Sequence, residues 1–191
     1  MAFVLPDIPT EDQLMARARQ GDQAAVMQIY DLYFPAVYEF IRLRADDRQL
    51  AEDLTSEVFV RLIDALRGRN APRQSLRGWL FRIARHELHR HFGRQKQFTA
   101  TALEDWLFIP ADEDMEVQLI RSMTAERARE AIKRLSPDQQ EVLILRFGQG
   151  LSLEETAAVM GKHEGAIKSL QFRAINTLRH LIGESELKDH V

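Results

Sequence analysis

Apolar residues return every three or four positions through most of this chain, the spacing of helices that bury one face. From Glu11 the pattern predicts a helix through Leu14 and Ala18. After Gly21 and Asp22 it predicts a second through Ala25, Val26, Ile29, Leu32, Tyr33, Val37, Phe40 and Ile41, with Asp22 as its N-cap. Pro35 lies inside this second pattern and predicts a kink or a break, because it lacks the N–H its turn needs. A third helix is expected from about Asp47 to Leu66, burying Leu50, Leu54, Val58, Leu62 and Leu66, projecting Asp53, Glu57 and Asp64, and closed by Gly68. The polar loop over 67–74 leads to a fourth, from near Ser75 towards Gly93, through Trp79, Ile83, Ala84 and Leu88. Trp79 shares a face with Ile83 and lies near Leu76, so it is expected in the core. Between about Gln95 and Met123 the periodicity decays around Pro110 and an acidic cluster, Asp112, Glu113, Asp114 and Glu116, the composition of a linker.

A short helix over 124–135 is expected to lead into three helices that carry their own start and stop signals. Ser136, Pro137 and Gln139 form an N-cap, a first-turn proline and a capping box, and Gly148 and Gly150 end that helix. Ser152 and Glu155 repeat the box, and Leu153, Ala157 and Met160 run to Gly161, a residue free to take a left-handed turn. The last helix has a buried stripe of Ile167, Leu170, Ala174, Leu178 and Leu181. Lys168, Ser169, Phe172, Arg173, Asn176 and Arg179 project opposite it. Ala157, Gly161 and Ile167 stand where a helix-turn-helix needs a small crossing residue, a turn glycine and a branched anchor. The fold class is therefore all-α, two small helical domains joined by a flexible acidic linker.

Charge sharpens this picture. The net charge of −3 hides a segregation: residues 1–60 carry 5 Lys and Arg against 11 Asp and Glu, while residues 61–96 carry 10 against 2. Acid returns over 97–130, with 3 against 8, and base over 160–183, with 4 against 1. Two separate cationic surfaces suit two contacts with a polyanion. Cysteine is absent, which excludes disulfides and thiolate metal sites within the chain. No signal-peptide pattern or membrane-length apolar run is present, so the expected location is the cytoplasm. The histidines of HELHRH, residues 86–91, lack metal spacing, since Arg90 stands where HExxH needs its second ligand. Nothing resembles a phosphate-cradling loop or a nucleophile elbow, so no enzyme and no cofactor are expected.

The segments AEDLTSEVFVRLIDAL with SLRGWLFRIARHELHRHFGR, and LSPDQQEVLILRFGQGLSLEETAAVMGKHEGAIKS, together resemble the extracytoplasmic-function (ECF) class of bacterial RNA polymerase sigma factors. The resemblance implies region 2 over residues 11–96, a linker over 97–121, and the region 4 helix-turn-helix over 122–183. It implies binding to core RNA polymerase, through its clamp coiled coil and flap, with promoter DNA and an anti-sigma factor as further partners and no membrane insertion. Asp53, Ser56 and Glu57 match the polymerase-binding surface, Ser56 standing where the family often has Gln. Arg69, Asn70, Arg73, Arg77, Arg82, Arg85, His86 and Arg90 match the loop and helix that capture the opened minus-ten strand. His86 replaces a common Asn, and Arg90 a common Asp. Glu164, Lys168, Ser169, Phe172 and Arg173 match the minus-thirty-five reader, with Phe172 equally suited to a thymine methyl and to a protein contact. His163 replaces the usual Ser cap of this helix, a weaker cap costing roughly 1 kcal/mol. The apolar island Trp106, Leu107, Phe108 and Ile109 is expected to pack on region 2 or to dock an inhibitor. The alternative function is a stand-alone helix-turn-helix regulator with a helical sensor domain, which accounts for the C-terminal segment alone.

Overall fold

The computed structural model describes residues 8–45, 47–68, 71–72, 75–93 and 134–188, with side chains described between residues 11 and 180 of these. The described residues contain helices and turns and fall into two compact units. The linker over 97–121 with its apolar island, and all but the last two residues of the helix expected over 124–135, lie outside the described residues. Arg134 and Leu135 form a turn rather than helix.

The first unit holds α1 (Ile8–Arg19), α2 (Gln23–Arg42), α3 (Arg48–Arg67) and α4 (Leu76–Phe92). Asp22 caps α2, its carboxylate accepting from the N–H groups of Ala24 and Ala25. Asp47 and Ser75 cap α3 and α4 in the same way, through Gln49 N–H and Gly78 N–H. Pro35 does not break α2. Tyr33, Ala36, Val37, Phe40 and Ile41 around it are all buried, and that burial outweighs a proline cost of about 3 kcal/mol. Phe40 meets Phe81 of α4 edge to face, with ring centroids 5.3 Å apart. In α3 the buried set is Ala51, Leu54, Thr55, Val58, Phe59 and Leu62, so the expected stripe is right at its centre, while Leu50 and Leu66 are only half-buried.

Helix α4 is rotated from its expected orientation. Its buried face is Leu76, Leu80, Phe81, Ala84 and Leu88, and Trp79 and Ile83 are half-buried at its edge. The expected core position of Trp79 is thus corrected. Both sets recur at helical spacing, and it is the first that packs toward the core with α2 and α3.

A buried carboxylate joins three of the four helices. Glu11 of α1 accepts from Tyr33 Oη at 2.7 Å on α2 and from the Leu76 N–H at 2.6 Å, the first residue of α4. It satisfies a helix-start donor that Ser75 does not reach, across 65 residues of sequence.

The second unit holds α5 (Pro137–Leu143), a π-helical turn (Ile144–Gly148), α6 (Leu153–Met160) and α7 (Glu164–Lys188). Both capping boxes form: Ser136 Oγ accepts from Gln139 N–H while Ser136 N–H donates to Gln139 Oε1, and Ser152 and Glu155 do the same. Gly161 closes α6 at φ +64°, in the left-handed region. Ala157, Val159, Met160, Ile167, Leu170, Ala174, Ile175 and Leu178 build the core against Val142 to Leu145.

Replacing Glu11 with Ala removes the acceptor shared by Tyr33 Oη and the Leu76 N–H and is expected to destabilise the chain by about 3 kcal/mol, whereas Tyr33→Phe takes away one of these two bonds and costs about 1 kcal/mol, both read from urea midpoints. A Cβ at Gly161 meets nothing within 4 Å, so Gly161→Ala loses about 1 kcal/mol through backbone strain alone. The hydrogen bond from Arg17, with that from the Ala25 N–H, holds the Asp22 carboxyl below its ordinary value. Its contribution is therefore complete above the unfolded carboxylate range and lost as pH falls through the lowered value. The stability difference between wild type and Asp22→Asn should shrink to nothing between about pH 7 and about pH 2.

Candidate nucleic-acid interface

Helices α3 and α4 carry opposite charge on adjoining surfaces. On α3, Asp53 and Ser56 are exposed and Glu57 is half-exposed, one ridge at helical spacing with Val60 among them, itself 50% exposed. Gln49 Nε2 donates to Asp53 at 3.1 Å, and the Ser56 hydroxyl donates back to the Glu52 carbonyl, which leaves its oxygen as an acceptor.

On α4, Arg82, His86 and Arg90 are exposed at four-residue intervals and form a cationic ridge, with half-buried Arg77 and Arg85 beside or near it. Arg69, Asn70 and Arg73 of the preceding loop lie outside the described residues. Beneath the ridge is a residue absent from the expected set. Glu87 is fully buried, yet its carboxylate meets Arg61 of α3 at 2.9 Å, Arg90 at 2.5 Å and His86 Nδ1 at 3.3 Å. Arg61 in turn reaches Glu57 at 3.3 Å. A buried carboxylate is tolerable only with such partners, because desolvation costs several kcal/mol per ion. The sequence signal was there in weak form: Glu87 is one of two acidic residues in a 36-residue basic stretch.

In the second unit, α7 presents Lys168, Ser169, Phe172, Arg173, Asn176 and Arg179 to solvent, as expected, and Phe172 is 65% exposed. Glu164 is exposed in the first turn. The Ser169 hydroxyl donates to the Gly165 carbonyl at 2.9 Å, and Arg173 Nε donates to the Ser169 carbonyl at 3.3 Å. The Ser169 oxygen is thereby aimed as an acceptor, suited to an exocyclic amine on a base edge.

Three contacts fix the pitch of α7. Arg146, in the π-helical turn, donates through Nε to Gln171 of α7 at 3.2 Å and through its terminal nitrogen to the Leu151 carbonyl. Lys162 pairs with Asp138 at 3.1 Å, tying the turn after α6 to the start of α5. His163 caps α7, its Nδ1 accepting from the Ala166 N–H at 3.0 Å. An imidazole nitrogen thus stands in for the serine oxygen at this cap. Arg146 was missed altogether, since its partners are set by the tertiary fold. Among the described residues no three of His, Asp and Glu converge on a metal-sized site, and no helix is long and apolar enough to cross a membrane.

Comparison with known proteins agrees with this division. The Sigma-70 region 2 family model matches residues 29–98, and the Sigma-70, region 4 model matches residues 131–180. The ECF RNA polymerase sigma factor BldN of Streptomyces coelicolor is 38% identical over 89% of this chain, which spans 65% of that protein's length. The ECF RNA polymerase sigma factor SigD of Mycobacterium tuberculosis is 34% identical, over 88% of this chain and 82% of SigD. Among solved structures, the sigma factor RpoE of Bartonella quintana, in complex with the anti-sigma factor NepR, is 29% identical with a TM-score of 0.55, over 82% of this chain and 96% of that one. The two family models account for both helical units in the order of the chain, and with relatives of this identity and coverage the protein belongs to the ECF RNA polymerase sigma factors.

Proposed function

We propose that this chain binds core RNA polymerase, brings it to a two-element promoter and holds the opened strand during transcription initiation. The observation that carries the reading is the pairing, within one small unit, of the acidic ridge of α3 with the cationic ridge of α4, while the second unit offers a separate cationic helix in α7. The α3 ridge of Asp53, Ser56 and Glu57 is the polymerase contact. Arg69, Asn70, Arg73, Arg77, Arg82, Arg85, His86 and Arg90 meet the minus-ten strand, where binding single strand better than duplex favours opening. Glu164, Lys168, Ser169, Phe172 and Arg173 meet the minus-thirty-five element, with Lys168 and Arg173 on phosphates and Ser169 on a base edge. Residues 11–96, 97–121 and 122–183 are the working divisions. The protein acts without covalent catalysis, in the cytoplasm where core polymerase and the chromosome are. An anti-sigma factor is its expected inhibitor, as NepR is named for the RpoE to which this chain is similar.

A stand-alone regulator would leave the first unit as a sensor domain. The region 2 match over residues 29–98 disfavours that reading.

Transcription from a pooled promoter library with purified core polymerase tests the proposal. Starts that depend on this protein should share a two-part upstream motif. Reversing charge at Asp53 and Glu57 together, both to Arg, should weaken core polymerase binding at least about ten-fold, or about 1.4 kcal/mol, while duplex binding stays within about two-fold. Lys168→Ala should weaken duplex binding across sequences and reduce the slope of log K against log salt by about 0.9, read by fluorescence anisotropy.

A further inference from the structure

Arg90, on the cationic ridge of α4, is the residue nearest to Glu87, at 2.5 Å, and Arg61 competes for the same carboxylate from α3. Arg61 is itself divided, since its Nε lies 3.3 Å from Glu57 on the acidic ridge while its terminal nitrogen lies 2.9 Å from Glu87. The chain Glu57, Arg61, Glu87, Arg90 therefore runs without a gap from the acidic ridge of one helix to the cationic ridge of the next. Its two ends are solvent-accessible, with the Glu57 side chain 41% and the Arg90 side chain 57% exposed, and its centre, Glu87, is sealed from water. The Glu87 Oε2 atom accepts no hydrogen bond, so Arg90 is held there by charge and not by a directed bond.

We infer that Glu87 is a positioning residue that divides two arginines between protein and nucleic acid, and so couples polymerase binding at Glu57 to strand capture at Arg90. In the free chain Glu87 neutralises Arg90 and withholds it from phosphate. A cationic group of the polymerase that takes Glu57 leaves Arg61 with Glu87 as its one carboxylate. Glu87 then needs Arg90 less, and the guanidinium becomes available to the opened strand. The effect is strongest at the centre of the chain, because a buried charge is poorly screened by solvent while its exposed partners are well screened. This inference rests on the proposed function, with α3 as the polymerase contact and α4 as the strand contact.

Two substitutions separate this arrangement from a merely structural ion pair, because they must act in opposite directions. Glu87→Gln frees Arg90, so the full chain should bind a labelled mixed-sequence 12-nucleotide single strand about five-fold more tightly, with a salt slope steeper by about 0.7 for one added phosphate contact. Arg61→Gln leaves Arg90 as the only guanidinium on Glu87 and should weaken binding about three-fold. In the double variant the Arg61→Gln loss should vanish, since it acts through Glu87. Asp64→Asn, which removes the same charge from an exposed α3 position, should change affinity less than two-fold.

If both substitutions weaken binding, if Arg61→Gln still weakens it in the Glu87→Gln background, or if Asp64→Asn matches Glu87→Gln, the coupling is wrong while the strand-binding reading survives. If the wild-type chain binds no single strand either alone or with core polymerase, the proposed function itself falls. Should Glu87→Gln not fold, Arg61→Gln decides through core polymerase: it must abolish any gain in strand affinity that polymerase confers on the wild type, and retention of that gain overturns the inference.

Discussion

The position of α4 depends on a carboxylate near the start of the chain. A helix begins with backbone N–H groups that have no partner within it, and at the start of α4 one of these is buried. Glu11 supplies the acceptor, and by accepting also from Tyr33 it fixes α1 and α2 around the same point. Arg19 of α1 also donates to the Pro72 carbonyl just before α4, and the bond from Leu76 to Glu11 ties the first turn of the helix to the same α1. The cationic ridge of α4 is oriented from that end.

From this placement follows the electrostatic character of the first unit. An acidic ridge and a basic ridge on neighbouring helices would ordinarily relax by pairing across the groove between them. Here a buried carboxylate, Glu87, pairs with one arginine from each helix, Arg61 of α3 and Arg90 of α4, whose side chains stay partly in water. In the second unit the same problem is solved by geometry. The π-helical turn carries Arg146 to both the following loop and Gln171, so α7 is held by a hydrogen bond at Gln171 while its cations stay in water.

How much of this was legible in the chain depended on distance along it. Capping boxes at Ser136 and Ser152, the caps at Asp22, Asp47 and Ser75, and the left-handed Gly161 involve neighbours within a few positions, and the residue types announce them. The exposed face of α7 was equally clear, because its stripe has one phase. Helix α4 was not, since Trp79, Leu80, Phe81, Ile83 and Ala84 support two overlapping stripes and only the facing helices choose between them. Pro35 misled for a related reason: local propensity predicted an interruption that the burial of Tyr33, Val37 and Phe40 overrides. Glu11 and Arg146 were invisible as site-forming residues, and Glu87 showed only as a rare acid in a basic stretch, because each finds a partner on another element, and no rule of spacing links residue 11 to residue 76. The site residues themselves were legible through resemblance more than through spacing, which is why Arg90 could be assigned to a strand without its internal partner being foreseen.

The cap at His163 fixes more than the start of a helix. An imidazole that accepts a hydrogen bond at Nδ1 carries its proton on Nε2, so one tautomer is selected and the outer nitrogen is a donor. Serine in that position would offer the backbone an oxygen and little beyond it. Histidine closes the helix with one edge of the ring and turns the other edge, with its N–H, outward beside the exposed first turn of α7.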